Sequence, residues 1–376
     1  MKEFRIEELA EVVSGGTPST KNSAYWDGDI LWVTPKDLSN LSKKWICSSI
    51  STITVEGLKN SAARMLPVNS VLLSSRAPIG YLALAGKPLC TNQGFKSMIC
   101  NKDIILPEYL YYYLQTKVED LNNISTGSTF KELSASLLKS YTITIHELAL
   151  QQHIVDILGS IDNSIENDNK KIENLINFGQ LKYQEDISSN DYEYIALSKL
   201  VKISRGASPR PIQNYLTTTG HSWVKISDVT SLSTPFLFET KEYITDEGTN
   251  HSVAVYPNDL ILSNSATPGI PVFMETNAFV HDGWLIIKDF KRITPNYLFW
   301  VLKNDRNIIL SQGNGSIFTN LKTDILKSHE IPVPSKEKME KLDNLYSTIL
   351  LKIKHLTKEN LKLNELKQLY LKKFFG

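Results

Sequence analysis

Residues that bind phosphate in other proteins are present in this sequence, but not at the spacing which that chemistry requires. Gly80 and Gly86 are separated by one residue more than a phosphate-binding loop allows. Pro88 follows Lys87 at the position where such a loop needs Ser or Thr to reach the metal ion. The segment therefore predicts an ordinary turn, with no nucleotide-binding site.

The histidines give no catalytic or metal-binding pattern either. His146 and His153 stand near Glu147 and Asp156, but the order and spacing do not match the HExxH motif of zinc proteases. No G-x-G-x-x-G fingerprint for a dinucleotide is present in the sequence. We therefore predict that the chain is not an enzyme and that it has no catalytic residue, no metal and no cofactor of its own.

Composition is that of an ordinary globular protein with room for two domains. The chain has 376 residues, and its 41 Lys and Arg nearly balance its 40 Asp and Glu, so any basic surface must come from local sorting of charge. Cys47, Cys90 and Cys100 show no CxxC spacing, which predicts neither disulfides nor a cysteine zinc site. The beginning of the chain lacks the pattern of a signal peptide, and no apolar run approaches a membrane span, so we expect a cytoplasmic protein.

Two stretches of heptad periodicity organise the chain. Apolar residues at a and d positions predict a pair of long helices that form a coiled coil, with Asp168 and Asn360 at seam positions usually filled by apolar side chains. The predicted seam comprises Leu158, Ile161, Ile165, Asp168, Ile172, Leu175, Tyr346, Ile349, Ile353, Leu356, Asn360 and Leu363. The two polar residues have three interpretations: they fix the helix register, they form hydrogen bonds at an interface with a partner, or they are solvated breaks, which a coiled-coil seam tolerates near its middle.

The second half of the chain repeats the first. Pro209 corresponds to Pro18 at a shift of 191, and Ser263 corresponds to Ser74 at a shift of 189. The shift becomes 188 before the long helices, so the differences amount to a few residues in loops. We predict an α+β protein with two homologous mixed domains and two long helices in an antiparallel coiled coil, with approximate internal two-fold symmetry. The predicted domains are 1–146, a central helix 147–187, 188–335 and a C-terminal helix 336–376.

Several motifs, in the same order in both copies, carry a resemblance to a known family. They are GGTPSTKNSAYWDGDILWVTPKDL at Gly15 to Leu38, the turn S-x-R-A-P-I-G, the strand TNQGF, the loop G-S-T-x-x-x-L and the helix start Leu150-Gln151-Gln152. Together they resemble the specificity subunit of type I restriction-modification systems. The usual proline-rich run is absent from the first helix start, TITIHELALQQ, and the second copy, IPVPSKEKMEK, lacks the glutamine pair, which leaves open how each helix end is braced.

This resemblance implies a function without catalysis in the chain itself. Each domain would recognise one half of a split site in double-stranded DNA, and the two helices would act as a spacer and dock two methyltransferase (modification) subunits. Restriction (translocase-nuclease) subunits are a further implied partner. S-adenosylmethionine, ATP and Mg would be held only by the partner subunits. The alternative function is a duplicated peptide- or carbohydrate-binding module on a coiled-coil stalk.

If the chain recognises DNA, loops at strand ends should carry the side chains that contact base edges and phosphates. The candidates in the first half are Thr17, Ser19, Lys21, Asn22, Ser75, Arg76, Asn92, Gln93, Ser128, Thr129 and Lys131. The candidates in the second half are Ser208, Arg210, Gln213, Asn264, Thr267, His281, Asp282, Asn314 and Ser316. The sequence predicts that the turn after residues 70–73 exposes Ser74, Ser75 and Arg76, and Arg76 is the best candidate for a guanine contact.

Each set has a structural alternative. Ser, Thr and Asn in loops commonly form turns and cap helices without contacting a ligand. Trp26, Trp32 and Trp223 could stack on bases, but Trp32 and Trp223 lie in apolar strands, so we expect these two in the core. The aromatic segment PEYLYYYLQTKV predicts a packed helix that begins at Pro107.

Overall fold

Two units make up the chain in the computed structural model, which describes residues 1–39, 41, 43–76, 78–126, 131–188, 192–312 and 320–376. Unit 1 comprises Met1–Glu166 and Leu361–Gly376, and unit 2 comprises Asn167–Asn360. The candidate residues Ser128, Thr129, Asn314 and Ser316 lie outside the described residues.

Unit 1 begins with short strands and ends in a long helix. Its strands are β1 (Lys2–Arg5), β2 (Ala10–Ser14), β3 (Trp26–Val33), β4 (Trp45–Ile46), β5 (Ser51–Ile53), β6 (Val71–Ser75), β7 (Ile79–Ala85), β8 (Cys90–Thr91), β9 (Lys96–Cys100) and β10 (Thr142–Ile145). Its helices are α1 (Ile6–Leu9), α2 (Pro35–Ser39), α3 (Val55–Lys59), α4 (Pro107–Gln115), α5 (Val118–Ile124), α6 (Ala135–Ser140) and the first part of α7 (Leu148–Ile187). A short 3₁₀ helix covers Ser23–Tyr25.

Unit 2 repeats this order after the second part of α7. Its strands are β11 (Glu193–Ala196), β12 (Lys202–Arg205), β13 (Leu216–Thr217), β14 (His221–Val224), β15 (Phe236–Leu237), β16 (Glu242–Ile244), β17 (Val253–Val255), β18 (Leu260–Ser263), β19 (Pro271–Met274), β20 (Ala278–Val280), β21 (Trp284–Lys288) and β22 (Glu330–Val333). Its helices are α8 (Leu197–Leu200), α9 (Ile226–Thr230), α10 (Asp246–Thr249), α11 (Pro295–Ser311), α12 (Thr323–Ser328) and the first part of α13 (Lys336–Phe375). A second 3₁₀ helix covers Ile212–Asn214.

The sheets confirm the duplication that the sequence predicts. The order β2-β9-β6-β7-β4 in unit 1 returns as β12-β21-β18-β19-β15 in unit 2, and the pair β1-β10 returns as β11-β22. The small sheet β5-β3-β8 returns as β16-β14-β20, with β13 and β17 added at its two edges. The fold is therefore the predicted mixed α+β architecture, built twice from one pattern of strand pairing.

The aromatic helix α4 packs into the core of unit 1, as predicted. Pro107 occupies its first turn, where the missing N–H costs nothing, and Tyr109 and Tyr112 are fully buried. The prediction of one continuous helix through Val118 is wrong, because α4 ends at Gln115. The Thr116 hydroxyl donates to the Tyr113 carbonyl at 2.8 Å, a local bond that competes with the helical hydrogen-bond ladder.

The two long helices pair in unit 1 through a buried charge contact. Lys367 Nζ of α13 lies 2.7 Å from Asp162 Oδ1 of α7, and both side chains are mostly buried. The Tyr112 hydroxyl donates to the second oxygen, Oδ2, at 2.7 Å. With both oxygens engaged, the buried Asp162 carboxylate is paired and hydrogen-bonded, as burial of a charge requires.

The helices also pair in unit 2, and the register is that of an antiparallel coiled coil. Asn360 Nδ2 of α13 donates to Asn169 Oδ1 of α7 at 3.0 Å. The residue numbers of this contact add up to 529 (169 + 360), as do those of the contact in unit 1 (162 + 367). A constant sum is what two helices running in opposite directions produce, so the predicted antiparallel pairing is confirmed.

Most of the predicted seam lies in the protein interior. The buried members are Leu158, Ile161, Asp168, Ile172, Tyr346, Ile349, Ile353, Leu356 and Asn360, and the half-buried members are Ile165, Leu175 and Leu363. Asp168 is 5 % exposed and Asn360 is 8 % exposed, so neither is a solvated break. Lys171 Nζ lies 2.9 Å from Asp168 Oδ1, within the same helix. Asn360 instead bonds across the helix pair, which is the geometry expected of a residue that fixes register.

None of the helices in the described part of the chain has the length and apolarity that crossing a lipid bilayer demands.

Candidate nucleic-acid interface

Four segments of unit 1 meet at one end of its five-stranded sheet. Strands β2 and β6 end there, and β9 and β7 begin there. Gly16 N donates to Thr91 O at 2.9 Å, Ser75 N donates to Gly94 O at 2.7 Å, and Leu133 N donates to Ser75 O at 2.9 Å. We call the described residues of these segments the first loop cluster: 15–22, 75–76, 92–94 and 131–133. Backbone hydrogen bonds thus bring together most of the residues that the first half of the sequence predicts.

Unit 2 builds the same arrangement from the equivalent segments. Ala207 N donates to Val280 O at 3.2 Å, Asn264 N donates to Gly283 O at 2.8 Å, and Leu321 N donates to Asn264 O at 2.6 Å. The last two bonds are those of unit 1 displaced by 188 to 189 residues. We call the described residues here the second loop cluster: 206–213, 264–269, 281–283 and 320–321. The chain therefore carries the same loop scaffold twice.

A buried serine fixes the strand-to-strand turn in each cluster. The Ser74 hydroxyl donates to Pro78 O and accepts from Tyr81 N, both at 2.8 Å. In unit 2, the Ser263 hydroxyl donates to Thr267 O at 2.7 Å and accepts from the backbone N–H of residue 270 at 2.9 Å. Because the hydroxyl holds both sides of the turn, the adjoining side chains keep a defined orientation.

Two tryptophans hold the backbone of loop 15–22 in the first cluster by hydrogen bonds from their indole N–H groups. Trp32 Nε1 donates to Gly16 O at 2.9 Å, and Trp26 Nε1 donates to Ser19 O at 3.1 Å. Trp32 is 8 % exposed and Trp223 is 3 % exposed, which confirms the prediction that these two belong to the core. Trp32 holds the loop backbone, and the buried rings of Trp32 and Trp223 are not available for stacking on a base.

One part of the sequence prediction is wrong: Ser74 and Ser75 are not in the open. Both are fully buried, because β6 continues to its last residue inside the sheet. Asn264, the counterpart of Ser75, is 2 % exposed and donates from Nδ2 to Asp282 O at 3.3 Å. Arg76 is half-buried, and 40 % of its side chain is accessible.

Most of the remaining candidates of the first loop cluster are exposed, and some of these also form local hydrogen bonds. Thr17, Ser19, Lys21, Gln93 and Lys131 are exposed. The Thr17 hydroxyl donates to Gln93 Oε1, and Lys131 Nζ donates to the backbone carbonyl of residue 122 at 3.3 Å.

The two asparagines of this cluster form turns. Asn22 Oδ1 accepts from Ala24 N at 3.1 Å, and Asn92 Oδ1 accepts from Gly94 N at 2.9 Å. Their acceptor oxygens therefore act in the local structure, which is the alternative that the sequence left open.

In the second loop cluster, several groups converge on Asp282. The Ser208 hydroxyl donates to Oδ1 at 2.7 Å, Arg210 Nη2 lies 3.2 Å from Oδ2, and Arg205 Nε donates to the backbone oxygen at 2.6 Å. The hydrogen bond from Ser208 is the main reason that the pKa of Asp282 is lower than usual, and the positive charge of Arg210 adds to it. Asp282 is therefore a carboxylate at neutral pH, and 78 % of the Arg210 side chain stays accessible.

His281 adds a neutral hydrogen-bonding group to this cluster. Burial lowers the pKa of His281, and the Gly283 N–H donates to its Nδ1 at 2.8 Å. An Nδ1 atom that accepts a hydrogen bond leaves the proton of the neutral ring on Nε2. Thr267 is half-buried and Gln213 is exposed, and both remain candidates for contact with a ligand.

Sequence reasoning missed three charged residues: Glu132 in the first cluster, Lys96 beside it, and Arg205 beside the second cluster. Lys96 lies at the start of β9 with its side chain 9 % exposed, and its Nζ is 3.6 Å from Glu132 Oε1. Arg205 ends β12 and holds the Asp282 backbone. Lys96 and Arg205 lie three residues from the candidates Gln93 and Ser208, which was the available signal, whereas Glu132 had no distinguishing feature in the sequence.

Comparison with known proteins identifies the family. The profile described as type I restriction modification DNA specificity domain matches twice, at residues 1–177 and 189–368. The chain is 37 % identical over 244 residues to the type I restriction enzyme MjaIX specificity subunit of Methanocaldococcus jannaschii, with 59 % of this chain and 56 % of that protein covered. It is 29 % identical over 164 residues to the EcoR124I/EcoR124II specificity subunit of Escherichia coli, with 42 % and 40 % covered.

The chain thus spans about half the length of the relatives that it matches. A crystal structure of the type I restriction-modification S subunit from M. genitalium shares the fold, with a TM-score of 0.62 and 14 % identity over 100 % of this chain and 96 % of that one. The double match of the family profile falls on the two copies that sequence and strand pairing define independently. The chain therefore belongs to the family of type I restriction-modification DNA specificity domains.

Proposed function

We propose that the chain is the DNA-recognition subunit of a type I restriction-modification complex, and that each loop cluster recognises one half of a bipartite site in double-stranded DNA. The duplicated loop scaffold is the observation that carries the proposal. The two clusters share their backbone hydrogen bonds, but their exposed side chains differ. This arrangement supports two half-sites with different sequences, because the exposed side chains that contact bases determine the DNA sequence, whereas the shared scaffold only positions those side chains.

The exposed groups of the two clusters have the chemistry that DNA recognition needs. In the first, the Arg76 guanidinium can donate two parallel hydrogen bonds to guanine, and Lys21 and Lys131 can neutralise phosphates. In the second, Arg210 supplies an exposed cation, and the Asp282 carboxylate is an acceptor that could take a hydrogen bond from cytosine. These local groups make the near-neutral net charge of the chain compatible with binding to DNA.

Docking of two methyltransferase subunits on the paired helices is part of the proposal. Phe178 and Leu181 of α7 are exposed by 45 % and 64 %, and Leu366 and Leu369 of α13 are exposed by 40 % and 66 %. These pairs are equivalent, at a shift of 188 (366 − 178 and 369 − 181). Two equivalent apolar pairs on outward helix faces support two like partners, one for each repeat.

Catalysis belongs to the partner subunits in this proposal. Methyl transfer would take place in the modification subunits and cleavage in restriction subunits, which would hold S-adenosylmethionine, ATP and Mg. The complex would act in the cytoplasm, where it meets chromosomal and incoming DNA. This chain would contribute the choice of the sequence, and no reacting group.

Sequencing of methylated adenines tests the proposal, in a host that carries this chain with its modification subunits. We expect one bipartite motif, with two defined half-sites and a gap of fixed length. In vitro, the complex should bind a duplex containing the motif with an affinity that falls steeply as salt is raised, because phosphate contacts release counterions. A continuous motif, or methylation that does not depend on this chain, would refute the proposal.

A further inference from the structure

Three charged side chains lie in a row that joins the first loop cluster to the start of β9. Lys96 Nζ is 3.6 Å from Glu132 Oε1, and Arg76 Nη1 is 3.9 Å from Glu132 Oε2. Glu132 therefore has one oxygen directed toward each cation. The row runs from a buried lysine, with 9 % of its side chain exposed, to an arginine with 40 % exposed.

The buried end of the row is fixed. Lys96 Nζ donates to Ser75 Oγ at 3.4 Å, and Ser75 is itself fully buried. Burial lowers the pKa of Lys96, and the neighbouring Glu132 carboxylate opposes this shift. An ammonium in such a place costs free energy unless a carboxylate accompanies it, so Lys96 and Glu132 depend on each other.

Glu132 is also held by its own backbone. Its N–H donates to Thr126 O at 2.9 Å, and the next N–H, of Leu133, donates to Ser75 O at 2.9 Å. The carboxylate is therefore fixed from both sides: by backbone pairing, and by the ammonium of Lys96. A carboxylate fixed in this way can direct a neighbouring side chain.

The exposed end of the row is restrained but not locked. A separation of 3.9 Å between Arg76 Nη1 and Glu132 Oε2 is longer than a hydrogen bond, and an ion pair at an exposed position is weak. The guanidinium can thus keep its orientation in the free protein and still give its N–H groups to a base. With one carboxylate between two cations, the row carries a net positive charge.

We propose that Glu132 is a positioning residue, which orients the Arg76 guanidinium for a base contact in the first half-site, and that Lys96 holds Glu132 in place from the protein interior. This inference rests on the proposed function and adds to it the residues that set specificity at one base pair. Preorganisation of this kind improves discrimination because less side-chain freedom is lost on binding.

Unit 2 provides a natural comparison, because it lacks this row. The residues equivalent to Arg76, Lys96 and Glu132 are Ser265 (76 + 189), Leu285 (96 + 189) and Asn320 (132 + 188). Ser265 and Asn320 form a backbone bridge, so the two positions face each other in unit 2 as they do in unit 1. The charged row is therefore present in unit 1 and absent from the equivalent positions of unit 2. Recognition of the second half-site serves as an internal control.

The test measures binding of the chain in complex with its modification subunits. The targets are duplexes that carry each single-base change in either half-site, and the variants are Arg76→Ala, Glu132→Gln, Lys96→Met and the double variant of Arg76 and Glu132. Glu11→Gln is the matched control, because Glu11 forms an exposed ion pair with Arg64 at 2.6 Å outside the loop cluster.

We expect Arg76→Ala to lose roughly five- to 150-fold discrimination at one base pair of the first half-site, the range of one bidentate contact. Glu132→Gln and Lys96→Met should lose part of the discrimination at that same base pair. The double variant should lose no more than Arg76→Ala alone, because the two residues act as one unit. Discrimination in the second half-site, and all discrimination in Glu11→Gln, should be unchanged.

Three results would overturn the inference while leaving the proposed function intact. They are unchanged discrimination in Glu132→Gln, full additivity in the double variant, and an Arg76→Ala variant that still discriminates at every base pair of the first half-site. A loss spread over both half-sites would show a general structural effect of Glu132, and would also overturn it. Failure of the unmodified complex to recognise any bipartite site would instead overturn the proposed function, and the inference with it.

Discussion

The Ser208 hydroxyl donates a hydrogen bond to Asp282 at 2.7 Å, at the place where the Thr17 hydroxyl of unit 1 donates to Gln93. The two bonds correspond at shifts of 191 (208 − 17) and 189 (282 − 93). Each ties the loop after β2 or β12 to the turn before β9 or β21. The donor is a hydroxyl both times, but the acceptor is neutral in one unit and charged in the other, so one scaffold presents different chemistry.

The first prediction concerns the acidity of Asp282. Replacing Ser208 by Ala removes the largest cause of the low pKa of Asp282, so this pKa should rise toward its ordinary value. Carboxyl-carbon NMR titration measures the change. Ser252→Ala is the control, because its hydroxyl donates to Val280 O and not to a carboxylate. An unchanged pKa in Ser208→Ala would contradict the prediction.

The sign of the linked stability change follows from the direction of the shift. The folded state holds the pKa of Asp282 below the value in the unfolded chain, so the folded state binds the proton less readily. The stabilisation is therefore fully present above the ordinary aspartate pKa of about 3.9 and is lost as the pH falls through the lower folded value. Ser208→Ala should reduce this acid sensitivity of unit 2, as measured by unfolding at a series of acidic pH values.

The second prediction concerns the start of α7. Gln151 is fully buried, accepts from Leu106 N at 2.9 Å, and donates to Ile104 O at 2.9 Å and His146 O at 2.8 Å. Gln151→Leu leaves these backbone groups without their partner, and an unsatisfied buried group costs about 1–3 kcal/mol. We expect a loss of at least about 2 kcal/mol in the free energy of unfolding of unit 1.

Gln152 provides the control for this prediction, since it is the next residue of the same helix. Its Nε2 donates to Asp156 Oδ1 on the exposed face, so Gln152→Leu should change the free energy of unfolding by less than about 0.5 kcal/mol. Chemical denaturation of both variants measures the difference. Equal effects at the two positions would show that the buried hydrogen bonds do not brace the helix.

The start of α13 is braced differently, which accounts for the absence of a glutamine pair there. Thr294 Oγ1 donates to Asp343 Oδ1 at 2.6 Å, and Asn296 Nδ2 donates to the same oxygen at 3.0 Å. The Asp343 carboxylate of α13 thus connects the long helix to the start of α11, as the Gln151 amide connects α7 to the segment before α4 in unit 1. The departure from the repeat is therefore compensated by other side chains.

The third prediction concerns the length of the paired helices. If the helices act as the spacer that the family resemblance implies, their length determines the gap between half-sites. Seven residues inserted after Asn167 add two helical turns, or about 10 Å. The antiparallel register requires seven residues after Asn360 as well, so that the seam positions keep facing each other.

We expect this double insertion to lengthen the non-specific gap in the methylated motif by about three base pairs, at roughly 3.4 Å each, and to leave both half-site sequences unchanged. Methylome sequencing measures the gap. Insertion into one helix alone breaks the register and should abolish methylation, and an unchanged gap in the double insertion would refute the spacer function.

The fold was predictable from the sequence because its signals are periodic and repeated. Heptad spacing marks the long helices, and the drift of the shift from 191 to 188 places every difference in a loop. The end of α4 was not predictable, because Thr is compatible with a helix. The helix ends here because the Thr116 hydroxyl donates a hydrogen bond to the Tyr113 carbonyl, and the sequence does not show this bond. Elements that depend on many residues were thus predicted well, and a boundary that depends on one hydrogen bond was not.

The sequence predicted which loops form the clusters, but it did not predict which side chains of those loops are exposed. Ser75 and Asn264 are buried because distant segments cover them, and sequence order alone does not show which segment arrives. Lys96 was missed because it follows the predicted strand TNQGF and so lies outside the loops that supplied the candidates. Its burial depends on Glu132, which reaches it only in the folded unit.

The last prediction contrasts two glycines of α7. A Cβ atom at Gly179 would lie 2.4 Å from the ring of Trp300, which is 1 % exposed and cannot move aside. Overpacking usually costs about 1–3 kcal/mol, and the better helix propensity of Ala returns about 1 kcal/mol, so Gly179→Ala should destabilise unit 2 by up to about 2 kcal/mol. At Gly159 the nearest atom is Lys44 Nζ at 3.5 Å, an ordinary contact, so Gly159→Ala should stabilise unit 1 by about 0.5–1 kcal/mol. Thermal unfolding of the two variants measures both effects, and changes of the same sign would show that the contact with Trp300 does not constrain the helix.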